Sequence, residues 1–421
     1  MKVGFSKVDI TPNVGVPLAG YLKRRISKGI HSSLYARTLV IKSEQKLYLW
    51  VSLDLIAIDD NFMRLLKKEL VAHHFQDIEV FATHTHAGPE GTIESGAFKG
   101  VFGEFNQMYL QHVVICCIHA IKEACLDLSK ATLSIAQGNC SSVGSSRHSA
   151  DIPIPNTLTT MVWTRDKKAD ILLYHFACHP TILHDDNVEI SSDFVGEVEK
   201  QLANEYPNVM FLNGSCGNIS TRFTRQEPTK NEVVRLASML TKCIKETLLH
   251  VKVFDLSRYQ AFHFSYTMEK KKLGSKDAAK QLMIKAKQNL EKAIKNEEKT
   301  TTIRLLQSLC EGANVNNLLV ERDDGSRSHK IHLSIIKLNE WIVICMPAEL
   351  FSTLEEQIEY KKCIVINYAN GYHAYFADKD AYEQGYYEAH MSYYKKGEGE
   401  KLIDYINEKI KEIYKMDKNI V

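Results

Sequence analysis

The chain has 421 residues, of which 44% are hydrophobic and 25% charged, values typical of a globular protein with a large buried core. Its 53 basic and 51 acidic side chains nearly cancel, so the overall charge favours neither a nucleic acid nor an anionic membrane surface as the partner. A small molecule or a second copy of the chain, as in a homo-oligomer, is the expected partner.

The N-terminal segment, residues 1–9, lacks the apolar stretch of a signal peptide, and we expect no apolar run to approach the length of a membrane span. The 10 cysteines include no Cys-x-x-Cys pair and would be a hazard in an oxidising compartment. We therefore expect a cytoplasmic protein in which most cysteines are small core residues.

Apolar, β-branched runs alternate with amphipathic stretches along the whole chain, the pattern of sheets with helices packed on them. Strands are predicted at 35–43, 46–53, 78–83, 131–136, 158–164, 170–177, 208–213, 258–266, 330–337, 340–346 and 363–368. Helices are predicted at 56–74, 104–127, 192–206, 229–250, 275–298, 302–312, 348–361 and 398–415. Short turns join some consecutive strands, so the predicted fold class is α/β, with mixed β-sheets flanked by α-helices.

One segment, 268–315, differs from the rest because it is rich in Lys, Glu, Ala and Gln. It is predicted to form a charged helical hairpin on the outside of the domain, and a solvated structural insertion is favoured over a partner-binding arm. No repeat or low-complexity linker divides the chain. We therefore expect one domain, 1–421, that contains this insertion.

The first candidate site is the segment 83–89, Thr-His-Thr-His-Ala-Gly-Pro, which follows the apolar end of the strand 78–83. Side chains alternate along a strand, so His84 and His86 are predicted to share one face at its C-terminal end. Glycine and proline then end the strand, and open α/β sheets hold their ligands at such strand mouths. The spacing alone fits a metal site and a pair of hydrogen-bonded histidines equally well.

Two later strand ends also carry polar side chains. His179 follows the predicted strand 170–177 directly before a proline, so its imidazole is expected at a strand mouth, whereas His175 is interpreted as structural. In 209–220 a buried strand runs into a glycine-containing loop, where backbone N–H groups can approach a ligand and Ser220 could donate to a substrate oxygen.

The C-terminal third of the chain adds a carboxylate and a group of tyrosines. Glu349 opens the predicted helix 348–361, where a carboxylate either stabilises the helix N-terminus or ligates a metal. The segment 372–390 contains five tyrosines, which suggests a pocket wall with hydroxyls, aromatic packing being the alternative.

Taken in chain order, these segments resemble the N-terminal catalytic domain of the neutral/alkaline, non-lysosomal ceramidase family. The strongest match is Ala-Thr-His-Thr-His-Ala-Gly-Pro at 82–89, against the family's Ala-Thr-His-Thr-His-Ser-Gly-Pro. Shorter matches are Asp-Ile-Thr at 9–11, Gly-Tyr at 20–21, Gly-Ile-His at 29–31 and Ala-Arg at 36–37. The resemblance implies that 1–421 is a single ceramidase-like catalytic domain.

The resemblance also implies a set of functional residues. The family's zinc ion is held by two histidines, a glutamate and a tyrosine, which correspond here to His84, His179, Glu349 and Tyr375. The catalytic or substrate-binding residues that it implies are His86, Arg147, Ser220 and Tyr387.

The sequence departs from the family pattern in several places. Asn218 replaces an aspartate, Glu90 follows Gly-Pro where a small residue is usual, and Arg147 follows serine where the family has asparagine. The chain is also expected to lack the signal peptide and the C-terminal immunoglobulin-like domain of the secreted ceramidases. These differences bear on the identity of the substrate more than on the chemistry.

We therefore predict a zinc-dependent hydrolase that cleaves a carboxamide (N-acyl) bond of a small molecule in lipid or related metabolism. The acyl group and the amine are open: ceramide, an N-acyl amino sugar, a lipo-amino acid or a natural-product amide all fit. A metal-dependent esterase or phosphoesterase would use the same ligands, and Asn218 leaves room for a catalytically silent metal-containing binding protein. A His-x-His amidohydrolase barrel is disfavoured, because the sheet pattern is not eight regular βα units.

Overall fold

The computed structural model describes residues 1–21, 23–94, 103–254, 256, 258–323 and 325–418. Its strands, β1 to β21 in chain order, are Lys2–Asp9, Pro17–Leu18, Arg25–Ile26, Gly29–Ile30, Tyr35–Ser43, Lys46–Leu53, Phe75–Ala82, Ser129–Asn139, Ser145–Ser146, Thr157–Arg165, Ile171–Phe176, Glu189–Ile190, Asn208–Asn213, Ile219–Ser220, Lys252–Phe254, Tyr259–Glu269, Ser328–Leu338, Trp341–Cys345, Glu349–Leu350, Cys363–Ile366 and Tyr375–Phe376. Its α-helices, α1 to α10, are Asp60–Glu69, Gln107–Leu126, Phe194–Leu202, Lys230–Leu248, Lys276–Lys295, Thr300–Glu321, Ser352–Glu355, Lys379–Gln384, Tyr387–Met391 and Glu398–Lys418.

Two large β-sheets form the centre of the molecule. The larger sheet has the strand order β13-β11-β10-β8-β1-β5-β6-β7, and β15 also pairs with β8. Its pairs are antiparallel except for β11–β13 and β6–β7. The smaller sheet has the order β16-β17-β18-β20, in which only β18–β20 is parallel. The prediction of an α/β fold with mixed sheets is confirmed.

The two sheets pack face to face, with helices on both outer surfaces. A buried apolar cluster joins Leu39, Trp50 and Met161 of the larger sheet to Ile336 and Val343 of the smaller one. Helices α1 and α2 cover one half of the larger sheet's outer face and α3 and α4 cover the other half, while α10 covers the smaller sheet. Because both faces of β11 are covered, all six of its residues are buried.

Helix α2 is long and apolar enough to cross a membrane, judged by length and composition. The expectation that no run approaches this length is therefore wrong. The face that includes Leu110, Val113 and Ile121 is buried against the larger sheet, as expected of a core helix that passes the same test.

Most predicted elements lie near the expected positions, and β5, β6 and β13 have the expected bounds. The predicted helix 348–361 is wrong, because Glu349 begins β19, which pairs in parallel with β21, and only Ser352–Glu355 is helical. Glu349 N donates to Ala374 O at 2.9 Å. This pairing joins segments far apart in the chain, so local periodicity carried no signal for it.

Candidate metal centre

The backbone leaves the strand before it reaches the two histidines of the first motif. β7 ends at Ala82, and His84 has φ = +69°, in the left-handed region that non-glycine residues seldom adopt. Its N–H donates to Leu55 O at 2.9 Å, which holds the peptide away from the sheet. The expectation that both histidines continue the alternation of a strand is therefore wrong. The two rings nevertheless meet, with 3.2 Å between the Nε2 atoms of His84 and His86.

Main-chain carbonyls orient the two histidines that were predicted as ligands. The Nδ1 atom of His84 lies 2.6 Å from Ile56 O, and that of His179 lies 2.9 Å from Ile219 O. A carbonyl oxygen only accepts, so each Nδ1 carries the hydrogen. Both Nε2 atoms are then free to act as ligands, the arrangement by which proteins fix the tautomer of metal-binding histidines.

Glu349 completes the convergence of donor atoms. Its Oε2 atom lies 2.9 Å from His179 Nε2 and 3.6 Å from His84 Nε2, and all three side chains are about 2% exposed or less. The Tyr372 hydroxyl donates to the other carboxylate oxygen, and the Tyr368 hydroxyl lies 3.4 Å from Oε2. Lone pairs on two nitrogens and one oxygen thus face each other, and a cation between them would satisfy all three. The donor set fits zinc.

The protonation of these groups agrees with a cation site. Burial lowers the pKa of His84 to about 4, so this ring is neutral near pH 7. Burial also disfavours charge on His179, but the Cys216 thiol and the Glu349 carboxylate outweigh it and raise the pKa of His179 to about 9. Without a metal, a proton is therefore held between His179 and Glu349. A metal ion would take its place and release it.

Tyr375 and Arg147 lie next to this group. Tyr375 stands opposite Glu349 in the β19–β21 pair, and its hydroxyl accepts a hydrogen bond from Arg147 Nη1 at 2.9 Å. The Arg147 guanidinium pairs with Glu388 at 3.2 Å and lies 5.4 Å from the centre of the Tyr387 ring. These contacts place a fixed positive charge beside the converging donors.

His86 differs from the other two histidines because no carbonyl fixes its ring. Its Nδ1 atom is buried and has no hydrogen-bond partner among the described residues. The ring packs against Gly20, where an added Cβ would lie 2.4 Å from Nδ1, so only glycine fits there. One ligand atom each from His84, His86 and His179 lie within 4.8 Å of one another. His86 is therefore close enough to exchange a proton with the site.

The sequence model of the neutral/alkaline non-lysosomal ceramidase family, N-terminal domain, matches residues 1–221. The chain belongs to this family. Membership implies an amide hydrolase, and this ceramidase family is metal-dependent in general.

The fold is similar to that of solved ceramidases. The crystal structure of neutral ceramidase from Pseudomonas aeruginosa superposes with a TM-score of 0.73 at 15% identity, covering 96% of this chain and 72% of that one. A ceramidase complexed with C2 gives a TM-score of 0.72 at 15% identity, covering 96% of this chain and 73% of that one. At this identity the similarity concerns the fold.

Two side chains that follow β13, those of Asn218 and Ser220, each accept a hydrogen bond from a backbone N–H group. Ser220 Oγ accepts from Arg222 N at 3.2 Å, and the neighbouring Ile219 O orients His179. Asn218 Oδ1 accepts from Ser352 N at 2.9 Å, so the residue that replaces the family's aspartate forms a loop-to-helix contact.

Some residues of the site had no predicted role. Tyr372 was predicted only as one of five tyrosines in a pocket wall, and Glu388, in the same segment, had no predicted contact with Arg147. Helix α6 also reaches the site: Arg222 Nη2 donates to Ser308 Oγ at 2.9 Å, and a Cβ at Gly312 would lie 3.3 Å from the Tyr387 ring. The composition of 268–315 predicted a helical hairpin. It did not predict that one face of this hairpin packs against the site.

Proposed function

We propose that the chain is a zinc-dependent hydrolase of a carboxamide (N-acyl) bond, with His84, His179, Glu349 and Tyr375 as the metal ligands. The observation that carries the proposal is the convergence of two Nε2 atoms and one carboxylate oxygen in a buried site. A bound zinc ion with an open position supplies a Lewis acid for the amide carbonyl and a nucleophile near neutral pH.

Arg147 would bind the substrate carbonyl and stabilise the negative charge that develops on its oxygen. The guanidinium is already held in place, because Nη1 donates to Gly217 O at 3.3 Å and Nε pairs with Glu388. A charge that is positioned before the reaction needs no reorganisation as the oxyanion forms. Tyr387 beside this guanidinium, and Ser220, would provide hydroxyl donors for the same oxygen or for the substrate.

His86 would move the proton that amide cleavage requires. A poor leaving amine must be protonated before it departs, and a neutral imidazole within reach of the site can take and return that proton. Burial, followed by the neighbouring His84 and His179, lowers the pKa of His86 well below its usual value, so the ring is neutral near pH 7.

Two alternative functions remain to be compared with amide hydrolysis. An esterase or phosphoesterase would use the same ligands, since the metal polarises any of these substrates. The silent binding protein was suggested by Asn218, but the contact of this side chain with Ser352 N lies on the loop and not among the converging donors. The replacement at 218 therefore does not alter the converging donors themselves.

The test compares amide, ester and phosphoester substrates on one zinc-loaded preparation, together with the variants His84→Ala and His119→Ala. His119 lies on the exposed face of α2 and controls for the loss of an imidazole. We expect N-acyl amides to be cleaved by the wild type and by His119→Ala, and His84→Ala to lose both zinc at this centre and cleavage. Full amide cleavage by His84→Ala would refute the proposal, and turnover confined to esters or phosphoesters would favour the alternative.

A further inference from the structure

A second group of potential metal ligands lies between the two large sheets, away from the candidate metal centre. Asp77 and Glu79 on β7 and His263 on β16 each offer one ligand atom, and these atoms lie within 4.8 Å of one another. The Nε2 atom of His263 is 3.1 Å from Asp77 Oδ1. We call these three residues the Asp77 cluster.

Strand register builds the cluster from both sheets. Asp77 and Glu79 are two residues apart on β7 and therefore share a face. Opposite them, His263, Ser334 and Cys345 stand side by side across β16, β17 and β18. His263 Nδ1 lies 3.3 Å from Ser334 Oγ. A ligand at this position would join β7 to the smaller sheet.

The two carboxylates are buried without full compensation. Asp77 is 3% exposed and Glu79 is 0% exposed, and Asp77 Oδ2 has no hydrogen-bond partner among the described residues. The other oxygen of Glu79 accepts from Asn370 Nδ2, and within the described part of the chain Asp77 has an ion pair only with His263. Buried carboxylate oxygens that lack a donor are costly unless a cation satisfies them.

Proximity of the two acids adds to this cost. Burial, and then the charge of Asp77, raise the pKa of Glu79 to about 7. Hydrogen bonds from Ser334, Asn370 and the Cys345 thiol to Glu79 oppose this shift. Two carboxylates and an imidazole form a set that zinc accepts, whereas magnesium and calcium prefer oxygen alone.

We propose that the Asp77 cluster binds a divalent transition-metal ion, best matched by Zn²⁺, at a structural site separate from the candidate metal centre. Asp77, Glu79 and His263 are the protein ligands, and water takes the fourth position. The His263 side chain is 60% exposed, which gives the ion a route from solvent. The bound ion links the strand that precedes His84 to the smaller sheet and so stabilises the fold.

The experiment counts zinc in the full chain after chelation and titration with Zn²⁺ alone, by equilibrium dialysis and elemental analysis. The variants are His263→Ala, His84→Ala, the double variant and the control His119→Ala. Because His263 is largely exposed, its removal is expected to leave the fold intact. We expect two zinc ions per chain in the wild type and in His119→Ala, one in each site variant and none in the double variant.

Thermal unfolding gives a second readout that does not depend on activity. Zn²⁺ is expected to raise the Tm of His84→Ala through the Asp77 cluster, and to leave the Tm of the double variant unchanged. Glu79→Gln, which keeps the side-chain size, should lose the same ion as His263→Ala. The inference is overturned if His84→Ala binds no zinc, or if His263→Ala still binds two ions. Failure of the proposed hydrolase would instead appear as His84→Ala retaining both full cleavage and two zinc ions.

Discussion

The candidate metal centre and the Asp77 cluster both combine histidine with carboxylate next to β7, but their surroundings differ. At the centre, carbonyls hold His84 and His179, and the Tyr372 hydroxyl donates to Glu349. In the Asp77 cluster, strand register brings the donors together, and Asp77 Oδ2 lacks a partner among the described residues. A catalytic metal site needs ligands that the protein orients before the metal binds. In a structural site the metal itself can compensate the polar atoms of its ligands.

In a third buried charge cluster, ion pairs join a guanidinium to two carboxylates, and breaking these pairs should have the largest effect on stability. Arg37, 1% exposed, pairs with Asp54 and Glu199. Arg37→Met leaves Asp54 without its ion pair and leaves Glu199 with Lys7 alone. It should destabilise the fold by about 3–5 kcal/mol, without changing the number of zinc ions in the protein that remains folded. Urea unfolding measures the loss, with the exposed Arg64→Met as control. A loss of zinc from folded Arg37→Met would mean that the three clusters are coupled.

Glu349→Gln should separate metal binding from folding at the candidate metal centre. The amide keeps the size of the side chain and an acceptor for Tyr372 but loses the charge that holds a cation. We expect the zinc at this centre to be lost and kcat/KM for amide cleavage to fall by more than about 100-fold, since even supporting partners of metal ligands contribute about 10–100-fold. The exposed Glu356→Gln is the matched control, and unchanged zinc content would contradict the ligand role.

Arg147→Lys tests whether the fixed guanidinium acts on the substrate rather than on the metal. Lysine keeps the charge but cannot contact Glu388, Gly217 O and the Tyr375 hydroxyl from one planar group. We expect kcat to fall by about 10–100-fold with zinc content unchanged. Steady-state kinetics measure kcat and elemental analysis measures the zinc content. The exposed Arg258→Lys is the control. If zinc is lost in parallel with kcat, Arg147 supports the ligands instead.

Cys345→Ala should have the smallest effect on stability and activity. It tests whether the Asp77 cluster and the candidate metal centre are independent of each other. The buried thiol lies against the Asp77 cluster, so its removal is expected to cost about 1 kcal/mol of unfolding free energy and to leave amide cleavage within about twofold of wild type. Urea unfolding and kcat/KM are the measurements. A fall in activity comparable to that of Glu349→Gln would show that the cluster supports catalysis.

Local patterns in the sequence were sufficient for much of the fold and part of the site. The bounds of β5, β6 and β13 were predicted, whereas His84 was separated from His86 as a candidate ligand only by the family resemblance at 82–89. The conformation of His84 was missed, because its left-handed φ depends on a hydrogen bond to Leu55 O from a neighbouring strand end. The cytoplasmic location, the single-domain organisation and the oligomeric state stay predictions.

The sequence by itself determined the alternation of strands and helices and the segments that carry reactive side chains, because periodicity and turn residues act over a few positions. Only the tertiary structure decided which of these side chains meet. His179 and Glu349 are 170 positions apart and lie in contact because β19 pairs with β21 beside the loop after β11. Asp77 and Glu79 carry no motif at all, and they meet His263 only because two sheets pack face to face.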